Sequence, residues 1–274
     1  MIRILLLVSL AAMAQDSDRD GLSDRDEERL IRQFTPRFFI SGAECDRLPA
    51  EIKPGLRDPI VLERNGTIYA RAFPVPRGVE IHYYHLWAND CGRMGHLWDV
   101  EHVSVLVENG KAAYWLAAAH QDTVCDAANA ATARSVHAET HGATVWISRG
   151  KHASFLSEKL CRRGCGGDFC DKPEAMPVLR VVNIGERGAP LNGAEWIHST
   201  EWPMEQKLVS DFPDAVLAAM PKKGVAFLYP VMIPGQSVVL GFNAAINGVG
   251  TGEQHTRRAL TRARRWVEAK IGAP

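Results

Sequence analysis

The sequence predicts a mainly β fold: an antiparallel β-sandwich with an N-terminal calcium loop and short helix, closed by a C-terminal amphipathic helix. Three observations predict it. Beyond residue 60 the chain reads as short runs of β-branched and aromatic residues broken by turn residues, the pattern of strands. No helical pattern alternates regularly with those runs, which favours a sandwich over the parallel sheet of an α/β protein. Between two of the runs, Glu108-Asn109-Gly110-Lys111 carries the strongest short-range hairpin signal. With 274 residues, 46% of them hydrophobic and 23% charged, the chain is long enough to bury a substantial core as one β body.

The first element, residues 1–14, reads as a secretory signal peptide. Arg3 precedes an apolar run from Ile4 to Ala12, and Ala12-Met13-Ala14 forms a small-residue cleavage site. The run is about half of the ~20 residues that cross a bilayer, so the expectation is cleavage after Ala14 and a mature chain with no transmembrane segment. No cysteine follows the run to take a lipid anchor. The expected location is therefore secreted or periplasmic.

Residues 15–36 form the second element. Asp16 to Glu27 reads DSDRDGLSDRDE, which places Asp16, Asp18, Asp20, Asp24 and Glu27 at positions one, three, five, nine and twelve of a calcium loop. Gly21 stands at position six, where the chain turns sharply, and Leu22 at position seven offers its backbone carbonyl. Ca²⁺ is a hard cation that needs several oxygens, and Glu27 can close the cage with both of its own. If cleavage falls after Ala14, no helix enters the loop, and the expectation is then against a paired sensor. The loop resembles those of dockerins and thrombospondin type 3 repeats, which implies a structural clamp. Leu30, Ile31 and Phe34 then mark one face of a short helix that Pro36 stops.

The body, residues 37–274, carries the strands. The runs are Thr67 to Val75, Val79 to Trp87, Val100 to Val107, Ala112 to Ala119, Thr144 to Ser148, Val178 to Ile184 and Val225 to Met232. A helix closes the chain. Thr251 and Gln254 are spaced as a capping box, and Leu260, Ala263, Val267 and Ile271 share an apolar face. Its arginines suit a surface helix docked on its own sheet, with a membrane surface as the other reading. Lys plus Arg and Asp plus Glu both number 32, so no net field recruits nucleic acid or anionic membrane. Six cysteines, an even number in an exported chain, point to disulfides. Cys161, Cys165 and Cys170 lack a CxxC pair and the spacing of a zinc knuckle, and the pairing stays open.

Chemistry concentrates in His82 to His102, HYYHLWANDCGRMGHLWDVEH. Asp99 and Glu101 are two apart at the entry of a strand, so their carboxylates leave one face, and His96 stands three residues earlier in the turn. Asp90 in the same loop offers a fourth donor. Three carboxylates and one imidazole suit Mg²⁺, Mn²⁺ or Ca²⁺, with zinc also open. The plain alternative is a pair of edge-strand charges beside a turn histidine.

Gly95-His96-Leu97-Trp98-Asp99-Val100-Glu101 fits GHxxDxE, and so resembles the heptapeptide of the necrosis- and ethylene-inducing-peptide-like proteins. The resemblance implies a β-sandwich that holds a divalent cation at one end through His96, Asp99 and Glu101, and more weakly Asp90. Trp146 to Phe155 is similar to a strand and turn of the related vacuolar-sorting-associated sandwich proteins. Trp98 and Val100 stand where that heptapeptide has histidine and tryptophan, and the calcium loop and C-terminal helix are additional, so the resemblance leaves cytolysis open.

Other polar residues weigh less. His82 and His85 leave opposite faces of their strand, so at most one joins the metal face, and His102 turns away from Glu101. Lys151 with His152 follows a strand and reads as a solvated turn or an anion contact. Tyr83, Tyr84, Trp87, Trp98 and Trp115 are core aromatics before they are sugar platforms. Ser154 and Ser237 lack the GxSxG elbow. Two functions survive. One is a secreted metalloprotein that binds a glycolipid, glycan or other membrane-surface head group through its rim cation. The other is a metal-dependent hydrolase in which the same cation activates water and Glu101, His102 or His152 serves as base.

Overall fold

The computed structural model describes residues 15–52, 62–92, 95, 97–117, 130–163, 168–185, 211–212 and 217. The signal peptide, the run at 225–232, the C-terminal helix, His96, Cys125 and Cys165 lie outside the described residues. In chain order the elements are α1 (Asp24–Phe34), β1 (Arg37–Ser41), β2 (Ala50–Ile52), β3 (Leu62–Arg64), β4 (Thr67–Val75), β5 (Gly78–Asn89), β6 (Leu97–Glu108), β7 (Lys111–Ala117), β8 (Ala130–Thr132), β9 (Thr144–Ile147), β10 (Ser154–Phe155), α2 (Glu158–Arg163), β11 (Pro173–Met176) and β12 (Arg180–Asn183).

A six-stranded sheet in the order β12-β4-β5-β6-β7-β8 faces a four-stranded sheet in the order β10-β9-β1-β11, and β2-β3 form a small ribbon. The expected sandwich is present. Its ladders are antiparallel except for β1 with β9 and β12 with β4, which run parallel. Parallel neighbours need a long crossover, and both pairs join strands more than a hundred residues apart. The predicted hairpin joins β6 to β7, with Asn109 at φ 52° and Gly110 at φ 76°. Two successive positive φ values are what a type I′ turn requires.

Strand parity places the core. In register, Ile81, Tyr83, His85 and Trp87 of β5 face Val105, Val103, Glu101 and Asp99 of β6, so these side chains share the inner face. They pack with Phe38, Ile40, Val145, Ile147 and Phe155 of the opposite sheet. The other face is covered too. β5 is buried without a break from Glu80 to Trp87, and Phe212 and Leu217 pack on Leu106 and Leu116 from outside.

Helix α1 begins at the Ser23 cap, whose Oγ accepts from Asp26 N at 3.2 Å. It seats Leu30, Ile31 and Phe34 against the same core, and the buried Tyr83 hydroxyl donates to Ile31 O at 2.8 Å. Disulfides Cys45–Cys91 and Cys161–Cys170 close the described cysteines, in keeping with the even cysteine count. Among the described residues no helix is long and apolar enough to cross a membrane.

Candidate functional site: two metal-ready corners

The calcium-loop segment folds around its own acids. Asp16 Oδ1 and Oδ2 accept from Arg19 N at 2.7 Å and Gly21 N at 3.1 Å, and Asp20 Oδ1 accepts from Leu22 N at 2.8 Å. Gly21 at φ +97° supplies the turn that a side-chain-bearing residue adopts only with strain. Ligand oxygens of Asp16, Asp18 and Asp20 converge within 4.8 Å of one another. Asp18 Oδ2 and Asp20 Oδ2 are buried and have no hydrogen-bond partner among the described residues. Burial first, and then the Asp20 charge, push the Asp18 carboxyl above its ordinary pKa. Both observations fit a bound cation, whose charge would answer the crowded oxygens.

The later loop positions sit differently. Asp24 opens α1 and accepts from Ser17 N and Ser17 Oγ, both at 2.7 Å, while the buried Glu27 in the first helical turn accepts from Asn183 Nδ2 at 2.7 Å. Leu22 packs on the core. The end of β12 therefore lies against the loop: Gly185 is so close that a Cβ there would stand 3.3 Å from Asp18 Oδ2.

The second corner lies at one end of the sandwich, where three loops meet. Disulfide Cys45–Cys91 joins the loop after β1 to the loop after β5. Gly150 O accepts from Cys91 N and Gly92 N, both at 2.8 Å, which adds the turn between β9 and β10. Glu44 Oε2 accepts from Gly150 N at 2.7 Å. At Gly150, φ is +79° and a Cβ would stand 3.0 Å from the Gly92 backbone, so the contact depends on glycine.

Between these loops sits His152. Its ring is fully buried and stacks on Trp87, with centroids 4.0 Å apart and planes 8° from parallel. Nδ1 lies 3.6 Å from Asp99 Oδ2, and Nε2 lies 3.7 Å from Glu44 Oε1. Those separations exceed a hydrogen bond. Neither ring nitrogen nor Asp99 Oδ2 has a hydrogen-bond partner among the described residues. Cys45 adjoins the same group, but its sulfur is held in the disulfide and offers no thiolate.

The sequence-predicted rim residues distribute as follows. Asp99 lies at this corner with its side chain 13% exposed. Glu101 shares its face and stands opposite His85. His85 accepts from Trp87 Nε1 at Nδ1 (2.8 Å) and meets Ser154 Oγ through Nε2 (2.9 Å), so it bridges the two sheets. Asp90 pairs with Lys151 Nζ through Oδ2 at 2.6 Å and accepts from Gly92 N at Oδ1 at 2.9 Å, so both oxygens are engaged. Parity sends His102 to the outer face, as expected. Sequence reasoning misses Glu44 altogether and reads His152 as part of a solvated turn or anion contact, or as a candidate base, where the structure buries it. The only signal for Glu44 is its neighbour Cys45, and that becomes legible only once the partner of Cys45 is known.

No family model and no curated protein match the chain. Solved structures with some overall likeness are of the necrosis- and ethylene-inducing type. "NLPPya in complex with glucosamine" is 12% identical, covers 86% of this chain and 96% of its own, and has a TM-score of 0.40. "Toxin fold for microbial attack and plant defense" is 14% identical over 79% and 90%, with a TM-score of 0.38. "Crystal structure of Necrosis and Ethylene inducing Protein 2 from the causal agent of cocoa's Witches Broom disease" is 16% identical over 62% and 81%, with a TM-score of 0.33. Likenesses of this size say nothing of what this chain binds.

Proposed function

We propose that the protein is an exported metal-binding β-sandwich that captures a polar surface ligand, a glycolipid or glycan head group, through a divalent cation at the rim. Asp99 and Glu101, with His96, hold the cation, and Glu44 and His152 border it. The observation that supports this reading is the buried His152 flanked by two carboxylates, Asp99 Oδ2 at 3.6 Å from Nδ1 and Glu44 Oε1 at 3.7 Å from Nε2, neither close enough for a hydrogen bond. Carboxylate oxygens with an imidazole suit Mg²⁺, Mn²⁺ or Ca²⁺. A cation held at Asp99 and Glu101 supplies coordination sites for sugar hydroxyls. Asp90 joins the ligand set only if Lys151 is displaced from it.

The Asp16–Glu27 loop holds a separate Ca²⁺ as a structural clamp, tying α1 to the end of β12. Asp16, Asp18 and Asp20 supply oxygens where they stand, and Leu22 O, Asp24 and Glu27 complete the set.

Metal-dependent hydrolysis is the second reading, favoured by the place of His152 beside Asp99. Binding is preferred because His152 is fully buried under Trp87, and a general base must reach the water it activates. Metal analysis of the purified protein tests the rim. Glu101→Ala should lose one equivalent of metal while the Asp16 loop stays loaded, and glycan binding should vanish with it. An unchanged metal count would refute the rim site. Metal-dependent turnover of ester, phosphoester or glycan panels, lost in the same variant, would replace binding with catalysis.

A further inference from the structure

We propose that His82, His102 and Asp211 form a buried metal centre on the outer face of the six-stranded sheet, suited to zinc and distinct from the rim and the calcium loop.

The site follows from strand parity. His82 stands opposite Ser104, and Tyr84 stands opposite His102, so the two histidines leave the same outer face of β5 and β6, one step apart along the strands. Their rings are parallel to within 4°, with centroids 5.6 Å apart. Asp211 arrives from far along the chain, and its backbone N donates to Glu80 Oε1 at 2.6 Å. Its Oδ2 lies 2.9 Å from His102 Nε2 and 3.8 Å from His82 Nδ1, and accepts from Ser104 Oγ at 2.5 Å. One ligand atom from each of the three residues lies within 4.8 Å of the others, and all three residues are buried.

The spacing fits a small cation. Four-coordinate zinc holds its ligands at ~2.0–2.1 Å, which places neighbouring donors about 3.4 Å apart. The 3.8 Å from Asp211 Oδ2 to His82 Nδ1 is close to that value, and the 2.9 Å contact to His102 Nε2 is a hydrogen bond whose proton the metal would replace.

The supporting contacts fit as well. Glu80 Oε1 lies 2.7 Å from His82 Nε2, the nitrogen away from Asp211. A carboxylate that takes this proton leaves Nδ1 as the lone-pair nitrogen on the Asp211 side, the outer-carboxylate arrangement typical of metal-bound histidine. Two buried carboxylates, Glu80 and Asp211, then balance the charge of one divalent ion in a site shielded from bulk solvent, where a bound water can take the fourth position. Among the described residues, two nitrogens and one oxygen favour zinc over calcium or magnesium. Its work is structural: it fastens the segment bearing Asp211 and Phe212 to the outer face of β5 and β6.

The test is cobalt and zinc uptake by the full mature protein, stripped by chelator and refilled in excess Ca²⁺. It is run in an Asp99→Ala, Glu101→Ala background, so that the rim cannot answer for the signal. One equivalent of Co²⁺ should bind, with the intense visible bands of four-coordinate cobalt. His82→Gln or Asp211→Asn should weaken it at least ~100-fold, and Glu80→Gln by roughly 10–100-fold, the usual effect of losing an outer partner. Full uptake in a folded His82→Gln variant would overturn the site. If the variants do not fold, X-ray absorption on the zinc-loaded rim background decides, since two imidazole ligands are required. A spectrum without them, or no uptake at all, means a proton-sharing polar network and ends the proposal.

Discussion

Asp99 and His152 show what single side chains decide at the rim. His152 holds φ at +54°, a conformation that costs a non-glycine residue energy and persists only where its surroundings enforce it. Trp87 stacking and the Ser148 O to His152 N hydrogen bond of 3.1 Å provide that enforcement. Asp99→Ala should therefore remove rim metal without unfolding the sandwich, seen as the loss of one equivalent in metal analysis with an unchanged near-ultraviolet spectrum. Ser23 offers a plainer test. Its hydroxyl caps α1, so Ser23→Ala should lower stability by about 1 kcal/mol in a denaturant titration. Parity arguments hold at this scale: Asp99 and Glu101 share a face with His85, and His82 and His102 take the other. Partner choice is not legible there, because Lys151 reaches Asp90 only after the β9–β10 turn folds onto the loop after β5.

At the scale of elements, the loop and α1 act as one unit. Its acids crowd together, and Asn183 on β12 grips Glu27, so occupancy of the loop should set how firmly α1 and β12 hold together. With free Ca²⁺ at 100 times its dissociation constant, binding adds about 2.7 kcal/mol. Removing it should lower the melting temperature by roughly 5 °C or more in a domain of this size, and a melting curve indifferent to chelator would remove the clamp. The Cys45–Cys91 bridge closes a loop of 46 residues, worth about 4 kcal/mol in the loop-entropy account. Cys45→Ala with Cys91→Ala should cost stability of that order and weaken rim metal binding more than loop binding, because only the rim loops are held by that bridge. Titration calorimetry separates the two.

Across the whole molecule, burial on both faces of the central strands sets the response to alkali. Tyr69 is pushed up to about 12, mainly by burial, and Tyr83 and Tyr84 well above their ordinary value of 10 for the same reason. Below pH 10 these phenols are neutral in both the folded and unfolded chains. Above it the unfolded chain ionises and the folded one does not, so Tyr69 alone removes about 1.4 kcal/mol per pH unit up to about pH 12. Phenolate absorbance from these tyrosines should appear together with unfolding; earlier ionisation would show that water reaches the buried faces of the sheet. Local pattern by itself determined the sandwich, since alternating β-branched and aromatic runs can bury a face only as paired strands. It determined β4 from Thr67 to Val75, the Asn109-Gly110 turn and the acid spacing of the loop, because each depends on residues close in sequence. It did not determine β8, built of Ala130, Ala131 and Thr132, or β11, which opens on Pro173. Those segments lack strand propensity and are strands only because β7 and β1 offer them an edge. Tertiary structure alone placed Glu44 beside His152 and Asp211 beside His82 and His102. These are contacts across more than a hundred residues, made by a disulfide, a crossover and a covering segment whose geometry exists only once the two sheets have packed.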